Sequence, residues 1–282
     1  MQSNNPVFRR SDAFNGRWTN AHGNQTYPGN GAGHEGYGQA PTGYADPQAP
    51  VHSGERMTID SVVQKTGISL GIVFVTAALT WWFTPPITGD PESLGPLLGA
   101  LTIGSLGAFA LSMVNSFKRV ISPPLVIAFC VAEGVAMGAL SKYFDGYFGD
   151  GIVTQAVLGT FAAFGGTLAA YKFFDIKVGQ KFRTFVIAAM FGMVALSLLE
   201  MGLGFFGSQL GLFGFGGIGL LFSIVGLVLG IFMLILDFDF IEQGVAAGIE
   251  ERESWRAAFA MTVSLVWIYT NLLRILAIFS SD

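Results

Sequence analysis

From Arg56 onward the apolar positions come in unbroken runs of about twenty residues, parted by short clusters of Pro, Gly, Ser and charge. A helix needs about 20 apolar residues, rising about 1.5 Å each, to cross a hydrocarbon core roughly 30 Å thick. Seven runs meet that length: 66–83, 95–117, 124–144, 152–171, 184–206, 216–236 and 257–279. Pro85-Pro86 with Gly89-Asp90-Pro91, Ser122-Pro123-Pro124 and the Gly-rich stretch from Gly214 to Gly217 break them apart. Backbone groups in lipid must be satisfied internally, so continuous apolar runs predict helices. Barrel strands would instead alternate over about ten residues. The expected fold class is an all-α membrane protein, a bundle of seven transmembrane helices. No internal repeat is visible.

Residues 1–55 follow a different pattern. They are rich in Gly, Asn, Pro, Gln and scattered Tyr, with almost no aliphatic positions. Such a segment cannot bury enough apolar surface to offset its ordering entropy, which predicts a disordered tail. Arg9 and Arg10 precede no apolar core, so the segment does not read as a signal peptide. Trp18, Tyr27, Tyr37 and Tyr44 are its candidate contacts with a partner; a plain flexible leader is the simpler reading.

Composition agrees with a lipid setting and removes several chemistries. The 282 residues are 51% apolar and 12% charged, with mean hydropathy +0.54. Soluble domains carry about 25% charged residues, and glycine, here 38 residues, is commoner in membrane helices. Cys130 is the single cysteine, so neither an intrachain disulfide nor a Cys-based zinc or iron–sulfur site is available. His22, His34 and His52 all precede the first apolar run, leaving no histidine within a span as ligand or base. No lysine follows Lys181, which excludes a Schiff base on a late helix. A net charge of −4 gives no support for nucleic-acid binding.

Charge also orients the bundle. Arg56, Lys65, Lys118, Arg119, Lys172, Lys177, Lys181, Arg183, Arg252 and Arg256 fall at one set of span ends, against Lys142 alone in the other. The positive-inside rule then puts the N-terminus in the cytoplasm and, after seven crossings, the C-terminus outside. Gly134-x-x-x-Gly138 and Gly226-x-x-x-Gly230 let backbones approach closely; they are expected to pack helices within one chain, which favours a monomer.

Ionisable residues inside spans cost at least about 2.5–3.5 kcal/mol at a helix centre and so attract functional hypotheses. Glu133 lies near the middle of the third run, either as a functional carboxyl or as polar glue between helices. Glu200 sits towards the outer end of the fifth and reads as interfacial. The sixth run ends in Leu236-Asp237-Phe238-Asp239-Phe240-Ile241-Glu242. At about 100° per residue Asp237 and Asp239 diverge, whereas Asp239 and Glu242 share a face. Carboxylates at a helix C-terminus oppose the macrodipole, and the interleaved Phe residues do not suit a solvated loop. The alternative is a wet interfacial boundary. In the seventh run Ser264, Asn271 and Arg274 interrupt apolar sequence; Arg274 is expected to snorkel to the outer interface. Asn115, Lys118 and Arg119 close the second run on the cytoplasmic side, where either cation could meet the acids or a lipid phosphate.

The motif Asp237-Phe238-x-x-Ile241, followed by Asn271-Leu272-Leu273-Arg274-Ile275-Leu276, resembles the Bax inhibitor-1/YccA family of seven-helix membrane proteins. Val114-Asn115-Ser116-Phe117-Lys118, Ala132-Glu133-Gly134 and Leu265-Val266-Trp267-Ile268-Tyr269 extend the resemblance, which runs from about residue 56 to the end. It points to the bacterial branch with a Gly/Pro-rich tail, and so to a bacterial inner membrane. The resemblance implies helix seven wrapped by the other six, and a pH-sensitive calcium leak. In the family two aspartates, on helices six and seven, share a proton near the cytoplasmic mouth. Matching the motif places the first at Asp237, also the expected metal contact, and the second at Ser264, a departure from the family pattern. The family's pairing cation would correspond to Lys118 or Arg119.

A serine can hydrogen-bond Asp237 but cannot share its titration, so gating would pass to Asp239, Glu242 or Glu133. The available ligands are hard oxygens, which suit Ca2+ or protons and disfavour soft metals. No cofactor is required. Enzymatic activity is not expected: an intramembrane aspartyl protease lacks its second aspartate and a Ser–His dyad lacks its histidine. The expected function is therefore a pH-sensitive Ca2+ leak channel. The alternative is a non-transporting regulator that binds membrane proteases or other membrane proteins through its tail.

Overall fold

The structure, a computed structural model, describes residues 55–87, 91–149, 151–174 and 176–280. The tail expected over residues 1–55 lies outside these residues apart from Glu55. Seven helices follow in order: α1 Ile59–Phe83, α2 Pro91–Phe117, α3 Pro123–Phe148, α4 Ile152–Phe173, α5 Gln180–Phe205, α6 Gly217–Ala246 and α7 Ser254–Ser280. A 3-10 turn, Glu251–Glu253, leads into α7. Each of the seven is long and apolar enough to cross a membrane, and among the described residues there is no strand beyond an isolated bridge between Arg56 and Glu250. The chain is a multi-pass membrane protein.

Two helices overrun the apolar runs that predict them by seven residues or more. α1 starts at Ile59, seven residues before position 66, because Thr58 and Ser61 cap each other. The Ser61 amide donates to Thr58 Oγ1 at 3.0 Å and the Thr58 amide to Ser61 Oγ at 3.1 Å, which satisfies donors that a helix start otherwise strands. α6 continues to Ala246, ten residues past the expected end at 236. Asp237 therefore lies about two and a half turns inside the helix, out of reach of its terminal dipole. The expectation that the acids occupy a helix end is corrected: they are interior positions whose polar groups neighbouring helices satisfy.

Central placement belongs to α7. Three buried apolar clusters hold the bundle together, and α7 contributes to each: Met261, Leu265 and Ile268 to the first, Phe259 to the second, Leu273 and Ala277 to the third. α1, α3, α4 and α6 pack directly on α7, while α2 packs on α3 and α5 on α6. Phe259 meets Phe129 of α3 edge-on, ring centroids 4.9 Å apart. The small-residue stripes make these approaches possible. Gly134 and Gly138 face Val73, Thr76 and Ala77 of α1; Gly226 and Gly230 face Trp267, Ile268 and Asn271 of α7. A Cβ on Gly230 would stand 2.7 Å from Ile268 Cγ1, so α6 and α7 could not close to this distance with a larger residue there.

Candidate functional site

α6 sends three acids in three directions. Asp237 points inward to α7, where Ser264 Oγ donates to Asp237 Oδ2 at 2.6 Å; Asp237 is 4% exposed and Ser264 fully buried. Asp239 turns to α5 and forms a buried ion pair with Arg183. Gln243 Nε2 donates to the same Oδ2 at 2.7 Å, and the Arg183 guanidinium lies 5.0 Å from the centre of the Phe240 ring. Glu242 is exposed and reaches α4, accepting from the Tyr171 hydroxyl at 2.7 Å. Asp239 and Glu242 thus do not act on one shared face, because each finds a different partner helix.

Asp237 and Ser264 lie level with each other. Asp237 stands nine residues before the end of α6 and Ser264 ten after the start of α7, which puts both about 14–15 Å inside the same end of the bundle. Glu133 on α3 and Ser69 on α1 lie at the same depth by the same count. Glu133 is half-buried, and no described residue hydrogen-bonds its carboxyl group.

The other expected site residues fall elsewhere. Lys118 and Arg119 are exposed, and among the described residues neither pairs with an α6 acid. Their backbone carbonyls instead accept from the fully buried Arg256, at 3.5 and 2.8 Å. Arg256 Nε also donates to Glu253 at 2.7 Å. Asn115 is buried against α3, donating to the Leu125 carbonyl at 3.2 Å. Asn271 donates within its own helix to the Trp267 carbonyl at 2.8 Å, beside Gly226. It fills the α6–α7 contact and does not reach the acids' partners.

Arg183 is the site residue that sequence reasoning missed. It entered only as one of ten orienting cations, yet it is the cation that meets the helix-six acids. Its signal was slight: it stands one residue before the apolar run at 184–206, between Phe182 and Phe185, and is the fourth residue of α5. An arginine in the first turn of a span can also snorkel to water, so its pairing with Asp239 follows from the approach of α5 to α6.

Among the described residues no three His, Cys, Asp or Glu side chains converge to hold a metal ion. Ca2+ takes about six to eight oxygens, and the Asp237 carboxyl with the Ser264 hydroxyl offers far fewer. Asp237 and Ser264 alone therefore do not build a Ca2+ storage site.

Seven membrane-spanning helices packed around α7, with a buried carboxyl–hydroxyl pair between α6 and α7, make this a polytopic helical membrane protein. The Bax inhibitor 1 like family profile matches residues 5–281, and the chain belongs to this family. The match begins about fifty residues before the resemblance legible in the spans. No curated protein matches the chain.

Proposed function

We propose that the protein is a gated leak pathway for a small hard cation, Ca2+ with protons as the controlling ion, closed in this conformation. Carrying the reading is Asp237, a carboxyl aimed into the bundle axis and held by a hydroxyl of the central helix. With its proton, Asp237 is neutral and satisfied by Ser264; without it, the charge attracts a cation into the α6–α7 contact. Flux is then expected to fall as pH falls. Arg183–Asp239 sits half a turn further along α6 and ties that helix to α5, as a second latch on the same segment.

Membership of a Bax inhibitor 1 like family supports the reading without specifying the ion. The positive-inside count orients the acid-bearing end to the cytoplasm of a bacterial inner membrane. In this reading the chain works as a monomer, without cofactor or catalytic step.

Reconstitution in liposomes with an enclosed calcium dye tests it. Calcium entry above that of protein-free vesicles, decreasing as the pH is lowered and Asp237 takes up its proton, is expected. Asp237→Asn keeps the shape of the pair and removes the titration, so its flux should lose the pH dependence. Flux equal to empty vesicles at every pH would end the proposal; an unchanged profile in the variant would remove Asp237 from it.

A further inference from the structure

α1 and α4 both flank α7, and between them a lateral cleft of about 440 Å3 reaches in to the central helix. Leu70, Phe74, Ala78 and Trp82 form its α1 wall, one residue per turn; Val157 and Phe161 form the α4 wall. Leu265 and Tyr269 of α7 lie at its back. The mouth faces outward: Phe74 and Phe161 stack across it at 6.1 Å, and both are nearly half exposed.

The hydroxyl groups in the cleft are already satisfied. Thr160 Oγ1 donates to the Ala156 carbonyl at 2.8 Å, and Ser141 Oγ bonds the Met137 carbonyl and the Tyr269 hydroxyl, each at 2.5 Å. An ordered water needs two to four polar partners, and apolar cavities stay dry. All the walls belong to membrane spans, so the medium that meets the mouth is hydrocarbon.

Dimensions narrow the occupant. Leu70 to Trp82 covers about 18 Å of helix, just over half of a hydrocarbon core roughly 30 Å thick. Trp81 and Trp82 sit at the end of α1, where an interfacial aromatic belt belongs. We infer that the cleft is a lipid site that seats one acyl chain of a phospholipid from the leaflet on the Trp81–Trp82 side. The chain enters sideways between α1 and α4 while its headgroup stays at the interface. Because Leu265 is the neighbour of Ser264, the seated chain packs on the stretch of α7 that holds Asp237.

The test uses the full chain in nanodiscs containing a small fraction of phospholipid with a mid-chain diazirine. Irradiation and peptide mapping should label α1 and α4 wall residues, and unlabelled phospholipid should compete. Ala78→Phe and Val157→Phe fill the cleft from opposite walls and should each remove most of that labelling. Circular dichroism confirms that each variant keeps its helices, and two independent variants guard against a folding failure in one. Labelling spread evenly over the outer faces of α2 and α5, unchanged in both variants, would mean ordinary surrounding lipid and overturn the site. So would labelling by a diazirine fatty acid that phospholipid does not displace. Neither result depends on ion flux.

Discussion

The two ends of the bundle carry charge in opposite styles. At the end holding the starts of α1, α5 and α7, side-chain pairs dominate: Lys65 with Glu251, Arg183 with Asp239, Arg256 with Glu253 and Asp237 with Ser264, with Lys65 and Arg256 donating to main-chain carbonyls as well. At the far end, charges bind the main chain. Glu200 accepts from the amides of Leu210, Gly211 and Leu212 at 2.8, 2.9 and 3.1 Å. Arg274 donates to the Leu212 carbonyl at 2.7 Å, and Lys142 donates to the Trp81 and Thr84 carbonyls at the end of α1. The difference separates structure from switching. A charge committed to backbone groups lets go only if a loop or helix end unravels, whereas a side-chain pair can exchange partners within an intact fold. In the proposed leak pathway, gating would use the side-chain pairs of the first end, with the second as a fixed cap.

The strongest test of this division is Arg256. It is fully buried, and its loss leaves Glu253 buried without its cation. Arg256→Met should cost about 3–5 kcal/mol in stability, read from thermal or denaturant unfolding in micelles. Arg256→Met with Glu253→Met should recover part of that loss, since the pair is removed together while the Lys118 and Arg119 carbonyls still lose their donor. A single variant as stable as the parent would show that this pair does not carry charge in the manner argued.

Next in size is the far end. Glu200→Ala strips three loop amides of their acceptor and should cost about 1–3 kcal/mol, with faster hydrogen exchange confined to the segment from Leu203 to Gly216. Calcium flux per folded molecule should not change. A variant with altered pH dependence of flux would erase the distinction between the two ends.

The same contrast explains what the sequence disclosed. The spans were legible because lipid demands about twenty apolar residues in a row, a signal that needs no tertiary context. Their ends were less so. α1 begins early through a local Thr58–Ser61 cap, and α6 runs on through Asp237, Asp239 and Glu242 because α7, α5 and α4 each satisfy one acid. That satisfaction is a property of neighbours, invisible along one chain. Arg183 illustrates the limit: by loop charge it was one cation among ten, and only the approach of α5 to α6 selects it over Lys118 and Arg119. Asp237 with Ser264 was legible for a different reason, through the spacing of two motifs that resemble a family.

The smallest expected change in stability, and the sharpest for mechanism, is at Ser264. Ser264→Ala removes one hydrogen bond and should cost about 0.5–1.5 kcal/mol, while displacing the pH profile of flux, because Asp237 loses the group that holds it in one protonation state more than the other. Ser264→Asp goes further, adding two heavy atoms at a fully buried position. It places a second carboxyl where the first already has a partner 2.6 Å away, and two carboxyls sharing a site release their protons in separate steps. Flux measured against pH should then rise in two stages instead of one, and adding Asp237→Asn should restore a single stage. A one-stage profile in Ser264→Asp would mean that these positions do not face each other in the conducting protein. The switch would then pass to Arg183–Asp239, the remaining buried side-chain pair on α6.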